Sequence, residues 1–252
     1  MAMLASSLLE SPVVIDTVVF DMDGVITDTA TVHRVAWKQL FDDYLRERAT
    51  QSGDAFVEFT ETDYLRFVDG KRREDGVASF LTSRGIDPAE SLVADLATRK
   101  NGYFLTIVER DGVTAFDDTI GFVHDLKAAG VQTALITASR NAVPVLSGAG
   151  LLDLFEVRVD GVVAAEMNLP GKPAPDVFLE AMRRVGGQIS TTAIVEDAVS
   201  GVQAGAAGGF ALVVGVDRTE GDEHAARLAA EGADVVVERL DQLVVQPGGG
   251  SA

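Results

Sequence analysis

Short apolar runs, each followed by a polar loop and then a helical pattern, organise most of this chain. The first run, 13–20, ends in an uninterrupted Val18-Val19-Phe20, which predicts a buried parallel strand. Comparable runs lie at 131–136, 155–159, 193–195, 210–216 and 234–237. Between them, apolar positions recur at helical spacing over 118–129, 141–149, 175–185, 198–207 and 222–230. Gly130, Gly150 and Gly186 stand just past the first three of these stretches, where glycine ends a helix. Strands alternating with helices predict an α/β fold, a doubly wound parallel-sheet Rossmann-like core.

Residues 31–112 break that alternation. Val32, Ala36, Leu40 and Tyr44 share one helical face, Leu92, Leu96, Tyr103 and Ile107 share another, and no strand pattern separates them. This predicts an inserted all-helical cap placed directly after the first strand's acidic loop. A lid over a site is one reading of that position, a peripheral decoration the other. The expected division is a discontinuous core (12–30 and 113–245), a helical cap (31–112) and flexible ends (1–11 and 246–252). The acidic, aromatic stretch 52–62 is expected to be a cap loop.

Composition narrows the partners. With 252 residues the chain is long enough for a core with a smaller companion. Its formal net charge of −18 argues against nucleic acid or an anionic membrane. A phosphorylated substrate stays possible, because a bound metal and a few basic side chains offset a phosphate locally. There is no cysteine, hence no disulfide, thiolate zinc site or cysteine nucleophile. The N-terminal MAMLASSLLESP lacks a basic n-region and reads as a short disordered lead, and no apolar stretch is long enough to span a bilayer. A soluble, cytoplasmic monomer is expected.

In a doubly wound sheet the strands' C-terminal ends share one edge, where ligands bind. The residues just past each run therefore matter most. After the first come Asp21-Met22-Asp23-Gly24, two carboxylates and a glycine that turns the chain. After 131–136 comes Thr137-Ala138-Ser139-Arg140-Asn141, whose hydroxyls and backbone N–H groups suit a phosphate. Gly171-Lys172-Pro173-Ala174-Pro175 holds a lysine in a stiff loop, a fixed positive charge. Val195-Glu196-Asp197 ends another run in two carboxylates. Each piece alone has a plainer reading: an acidic turn, a helix cap, a solvated lysine. Together they specify a hard oxygen-ligand site that magnesium fits best and a chemistry of metal-assisted phosphoryl transfer. An EF-hand would need its glycine at the sixth loop position, whereas Gly24 is fourth from Asp21. A P-loop would need glycine at Glu166 and Ser or Thr at Pro173. A receiver domain would not need the helical insertion.

The chain resembles the haloacid dehalogenase superfamily of phosphotransferases over nearly its whole length, and within it the β-phosphoglucomutase-like subfamily. The resemblance is carried by Asp21-Met22-Asp23-Gly24-Val25-Ile26-Thr27-Asp28-Thr29-Ala30, His33, Ala36-Trp37-Lys38, Gly171-Lys172-Pro173-Ala174-Pro175-Asp176, and Glu196-Asp197 with Gly201. It implies Asp21 as nucleophile and Asp23 as general acid/base. Thr137, Ala138 and Lys172 would hold the transferring phosphate, with Ser139, Arg140 and Asn141 on the same substrate loop. Mg²⁺ would sit on Asp21, the Asp23 carbonyl, and Glu196 or Asp197. In the cap, His33, Trp37, the segment from Gly70 to Asp75, and Arg99-Lys100-Asn101 look like the subfamily's sugar-binding parts. Arg73 would take the non-reacting phosphate, Lys100 and Asn101 the sugar, and His33 would couple cap closure to Asp23. The implied activity is conversion of β-glucose 1-phosphate to glucose 6-phosphate through the 1,6-bisphosphate. A sugar-phosphate phosphatase is the alternative, and a non-enzymatic phosphate-binding module, which would not need Asp21 or Lys172, a distant one. The chain departs from the subfamily pattern in a longer segment over 50–61, and in Thr137 and Arg140 where serine and lysine are usual.

Overall fold

The computed structural model describes residues 1–53, 55–68, 71 and 73–247. Two compact units divide the chain: Met1–Asp28 with the residues from Val113 on, and Thr29–Gly112. The chain opens with β1 (Ala2–Ala5), β2 (Val13–Ile15) and β3 (Thr17–Asp21). The apolar run 13–20 is thus two strands rather than one. Asp16 breaks it, its N–H donating to the Thr191 carbonyl and its carbonyl accepting from the Gln132 N–H, so β2 and β3 join different sheets. The expectation of a flexible lead over 1–11 is also corrected. Ala2 and Leu4 are buried while Met3 and Ala5 are only partly so, the period-two pattern of a half-buried strand.

The helical unit holds α1 (Thr29–Ser52), α2 (Glu61–Phe67), α3 (Arg73–Ser83) and α4 (Glu90–Asp111). Its core is aromatic: Phe41 lies 4.1 Å from Phe80 and 4.9 Å from Phe59, ring centroid to centroid. Burying a phenylalanine side chain contributes about 1.5–3 kcal/mol. The longer segment before α2 is anchored through Phe59, whose N–H donates to Asp42 at 2.8 Å and whose carbonyl accepts from Lys38 at 2.9 Å. Thr60 then caps α2 reciprocally with Asp63.

From Val113 the chain runs through α5 (Asp117–Ala128), β4 (Gln132–Ile136), α6 (Ala142–Gly148), β5 (Val157–Val159), α7 (Gly161–Glu166), α8 (Asp176–Arg184), β6 (Thr192–Glu196), α9 (Val199–Gly208), β7 (Leu212–Val216), α10 (Glu223–Ala230), β8 (Val235–Val237) and β9 (Val244–Pro247). Six strands form a parallel sheet in the order β5-β4-β3-β6-β7-β8. β3 is central and buried on both faces, which explains its continuous apolar sequence. The chain leaves β3 for β4 on one side and returns to β6 on the other. The C-terminal end of β3 is therefore the topological switch point, where the sheet opens a crevice. β1 pairs antiparallel with β2 and β9 in a separate three-stranded sheet, so residues 246 and 247, expected in a flexible end, lie in a strand. Among the described residues no helix is long and apolar enough to cross a membrane.

Candidate active site

Asp21 is the last residue of β3 and is buried; the next carboxylate, Asp23, stands two residues on, at the start of a tight turn. Met22, Val25 and Ile26 are fully buried, and the Met22 carbonyl accepts the N–H groups of Ile26 and Thr27 at 2.9 and 3.0 Å. Apolar anchors thus alternate with the acidic residues and hold them at the sheet edge. Gly24 has φ +81°, and a Cβ there would lie 1.9 Å from Asp197 Oδ2. Only glycine allows both this conformation and this approach.

Seven predicted residues meet here. Lys172 Nζ donates to Asp21 Oδ1 at 2.6 Å and also to Glu196 Oε1. Glu196, fully buried, accepts the Ala198 N–H on its other oxygen at 2.9 Å. The Asp23 N–H donates to Asp21 Oδ2 at 2.9 Å. Thr137 Oγ1 donates to Asp23 Oδ2 at 2.8 Å and accepts the Ser139 N–H at 3.0 Å. Carboxylate oxygens of Asp21, Glu196 and Asp197 lie within 4.8 Å of one another, an all-oxygen set suited to a hard divalent cation. Burial pushes the Asp21 carboxyl well above its ordinary value; Lys172 opposes, while Glu196, Asp23 and Asp197 add to the rise. Burial and then Glu196 push Asp197 up to about 8, against Lys172. Lys172 is itself held above its ordinary value, its burial being outweighed by Asp21 and Glu196. A cluster with this surplus of negative charge gains from a bound cation.

The loop after β4 is compact. Asn141 donates its N–H to Ser139 Oγ at 3.0 Å, and Gly161 donates to the Ser139 carbonyl at 3.0 Å. A Cβ on Gly161 would lie 2.4 Å from the Ala138 carbonyl, so α7 starts against this loop. Ala138 and Arg140 are exposed.

The helical unit assembles a second cluster. Lys100, only 2 % exposed, places Nζ 2.5 Å from His33 Nδ1 and over the rings of Trp37 and Phe104 at 5.2 and 4.9 Å. His33 stacks on Phe104 at 4.5 Å. Burial, then the charges of Lys100 and Arg73, lower the His33 pKa to about 3. The lysine ammonium donates to Nδ1, so the neutral ring carries its proton on Nε2. Asn101 is half-buried beside Lys100 in α4. Arg99 instead grips Glu47 through two hydrogen bonds. Gly70 and Arg72 lie outside the described residues.

The His33 shift has a sign that can be measured. Between pH 6.5 and 3 the unfolded chain binds a proton at this site and the folded chain does not, so His33 lowers stability as pH falls through that window. The wild type is expected to lose more stability between pH 7 and 4 than His33→Gln in denaturant titrations. The His33 ring should stay neutral by NMR at pH 5; a protonated ring there counts against the buried pairing.

Two further side chains reach the acidic loops from the segment after β7, and neither is among the residues the sequence motifs predict. His224 Nε2 lies 2.8 Å from the Asp197 carbonyl, and Arg218 Nε donates to the Gly24 carbonyl at 3.2 Å. The visible signal was positional: Asp217-Arg218 follows the run 210–216 as the other acidic and basic loops follow theirs.

Known proteins resemble this chain in sequence and fold. Residues 15–209 match the family of haloacid dehalogenase-like hydrolases. A Mycobacterium tuberculosis protein named β-phosphoglucomutase is 45 % identical over 249 residues, covering 95 % of each chain. A Bacillus subtilis β-phosphoglucomutase is 30 % identical over 233 residues, covering 91 % of this chain and 92 % of that one. The crystal structure of β-phosphoglucomutase from Clostridium difficile shares the fold, with a TM-score of 0.67 at 24 % identity over 90 % of this chain and 92 % of that one. The chain is therefore an enzyme of the haloacid dehalogenase-like hydrolase family, on its β-phosphoglucomutase-like branch.

Proposed function

We propose that this enzyme is a magnesium-dependent β-phosphoglucomutase, converting β-glucose 1-phosphate to glucose 6-phosphate through the 1,6-bisphosphate and an aspartyl phosphate. The observation that carries the chemistry is the contact of Lys172 with Asp21 at 2.6 Å beside Asp23 and its Thr137 partner. The name of the mycobacterial relative, matched over 95 % of each chain, supports the sugar.

Asp21 is the nucleophile: its carboxylate oxygen attacks phosphorus and the bond to the sugar oxygen breaks, which splits one hard transfer into two easier ones. Asp23 gives a proton to the leaving oxygen and later takes one from the incoming hydroxyl, with the Thr137 hydroxyl orienting it. The phosphorylated enzyme passes its phosphoryl group to the C6 hydroxyl of β-glucose 1-phosphate. The bisphosphate then returns its C1 phosphoryl group to Asp21. Thr137, the Ala138 backbone and Lys172 hold the transferring group.

The donor set fits Mg²⁺: Asp21, the Asp23 carbonyl and Asp197 would hold it, while Glu196, whose two oxygens accept from Lys172 and Ala198, anchors the lysine. A cation bound there would offset the charge on the attacked phosphate. In the helical unit Arg73 takes the non-reacting phosphate by its planar fork, and His33, Trp37, Lys100 and Asn101 read the sugar.

The deciding assay supplies β-glucose 1-phosphate, Mg²⁺ and a trace of the 1,6-bisphosphate. Glucose 6-phosphate without free phosphate is expected. Stoichiometric phosphate release would replace the mutase by a sugar-phosphate phosphatase, with water as acceptor at the same site.

A further inference from the structure

Just past Asp23, the carbonyls of the acidic loop are tied down one after another. The Gly24 carbonyl accepts from Arg218 Nε at 3.2 Å, the Val25 carbonyl from Thr119 Oγ1 at 2.8 Å, and the Ile26 carbonyl from the Phe116 N–H at 3.0 Å. Arg218 joins the first two ties. Its terminal nitrogens reach both oxygens of Asp118 at 3.2 and 3.1 Å, and one also donates to Thr119 Oγ1 at 2.9 Å. Its guanidinium lies over the Phe116 ring at 3.8 Å.

The supports of Arg218 are themselves fixed. Asp118 is buried and accepts the Leu240 N–H at 2.8 Å. Burial raises its carboxyl, but the hydrogen bonds from Arg218 and Leu240 bring it below the ordinary value, so it stays an anion. On the other side, Asp217 accepts both the N–H and the hydroxyl of Thr219, at 2.9 and 2.7 Å, which shapes the turn that presents Arg218.

We infer that Arg218, held by Asp118 and Phe116, is a positioning residue that sets the Asp23–Gly24 segment against Asp21 and Asp197. Gly24 is bonded to Asp23 and packs against the Asp197 carboxylate so closely that no Cβ fits. A shift of its peptide moves the general acid/base and opens the acidic cluster together. Arginine suits the task because one planar fork serves Gly24, Asp118 and Thr119 at once; lysine offers a point charge with no such geometry.

The inference rests on the phosphotransferase reading of Asp21, so its test uses a ligand that reports on Asp21 without a sugar. Trifluoroberyllate with Mg²⁺ mimics a phosphoryl group on a carboxylate, and its binding is read by fluorine NMR alongside thermal melting. Arg218→Met and Arg218→Lys are expected to bind it at least tenfold more weakly than wild type. In the mutase assay kcat is expected to fall about 10²-fold, the loss typical of small misplacement, with KM within twofold. Thr119→Val, nearly isosteric, removes the Val25 tie and is expected to weaken binding severalfold, which keeps the test open should the Arg218 variants not fold. Wild-type binding in folded Arg218 variants, rescue by lysine, or no loss in Thr119→Val overturns the brace alone. A wild-type protein that takes up no trifluoroberyllate overturns the phosphotransferase reading, and the brace with it.

Discussion

Asp21→Asn is expected to reduce turnover by about 10⁴-fold or more, the scale seen when a residue acting at the heart of a covalent mechanism is removed. The amide keeps the shape of the carboxylate and can still accept the Asp23 N–H, but it cannot attack phosphorus. The same change is expected to leave the metal-free protein at least as stable as wild type at neutral pH. In the folded protein burial and neighbouring carboxylates raise the Asp21 pKa above its ordinary value. Such a group contributes full stability only below its unfolded pKa, and loses that contribution as pH rises through the folded one. Asparagine does not titrate and escapes the loss. Steady-state kinetics with mass spectrometry for phosphorylated protein, beside melting curves at pH 7.5, measure both halves. A variant that turns over at more than about one-hundredth of the wild-type rate, far above the expected scale, sinks the nucleophile assignment.

What could be read before the structure follows from how local each signal is. β3, β6 and β7 are buried along their whole length, so apolar residues dominate their sequences, and the residues after them land on one edge by the rule of parallel topology. Asp21 and Glu196 were findable for that reason; Lys172, whose loop follows α7 rather than a strand, was marked by its place between Gly171 and Pro173. β1 and β9 were not findable: their pairing joins two segments about 240 positions apart, and Gln246-Pro247 runs straight into a glycine-rich stretch. The break at Asp16 was hidden because one polar residue does not end a strand pattern; its bonds to Thr191 and Gln132 do. α7 is short and is capped by Asp160, which accepts the N–H groups of Val162 and Val163. In sequence that aspartate looks like the end of the preceding strand.

The hydrogen-bonding partners were the least legible part. Arg218 meets Asp118 across 100 positions, and nothing in either local sequence announces the other. The same holds for Lys172, whose loop showed a constrained cation without showing what it neutralises. The structure answers with Asp21 and Glu196. That makes Lys172 as much a part of the fold's electrostatic balance as of its chemistry.

Lys172→Met should expose this double role. Methionine keeps most of the side chain's length and packing, so the change removes the charge and little else. Two buried carboxylates then face each other without the cation, and breaking a buried pair in this way costs about 3–5 kcal/mol. That is a large part of the 5–15 kcal/mol by which folded domains are typically stable. The cost depends on pH in a defined direction. The Asp21 carboxyl, already raised by burial, loses the group that opposes the rise and takes up a proton more readily in the folded state. The penalty is therefore full at pH 8 and shrinks as pH falls toward 5, where the protonated form is available. Urea titrations of wild type and variant at both pH values measure the difference. Equal destabilisation at pH 8 and pH 5 would assign the loss to packing and refute the charge-balance role of Lys172. Activity is expected to fall about 10²–10³-fold at pH 7.5, the usual consequence of removing one fixed charge from a transition-state contact. Lys172→Arg is not expected to restore it, because a planar guanidinium is too broad for a lysine that touches Asp21 and Glu196 through a single nitrogen.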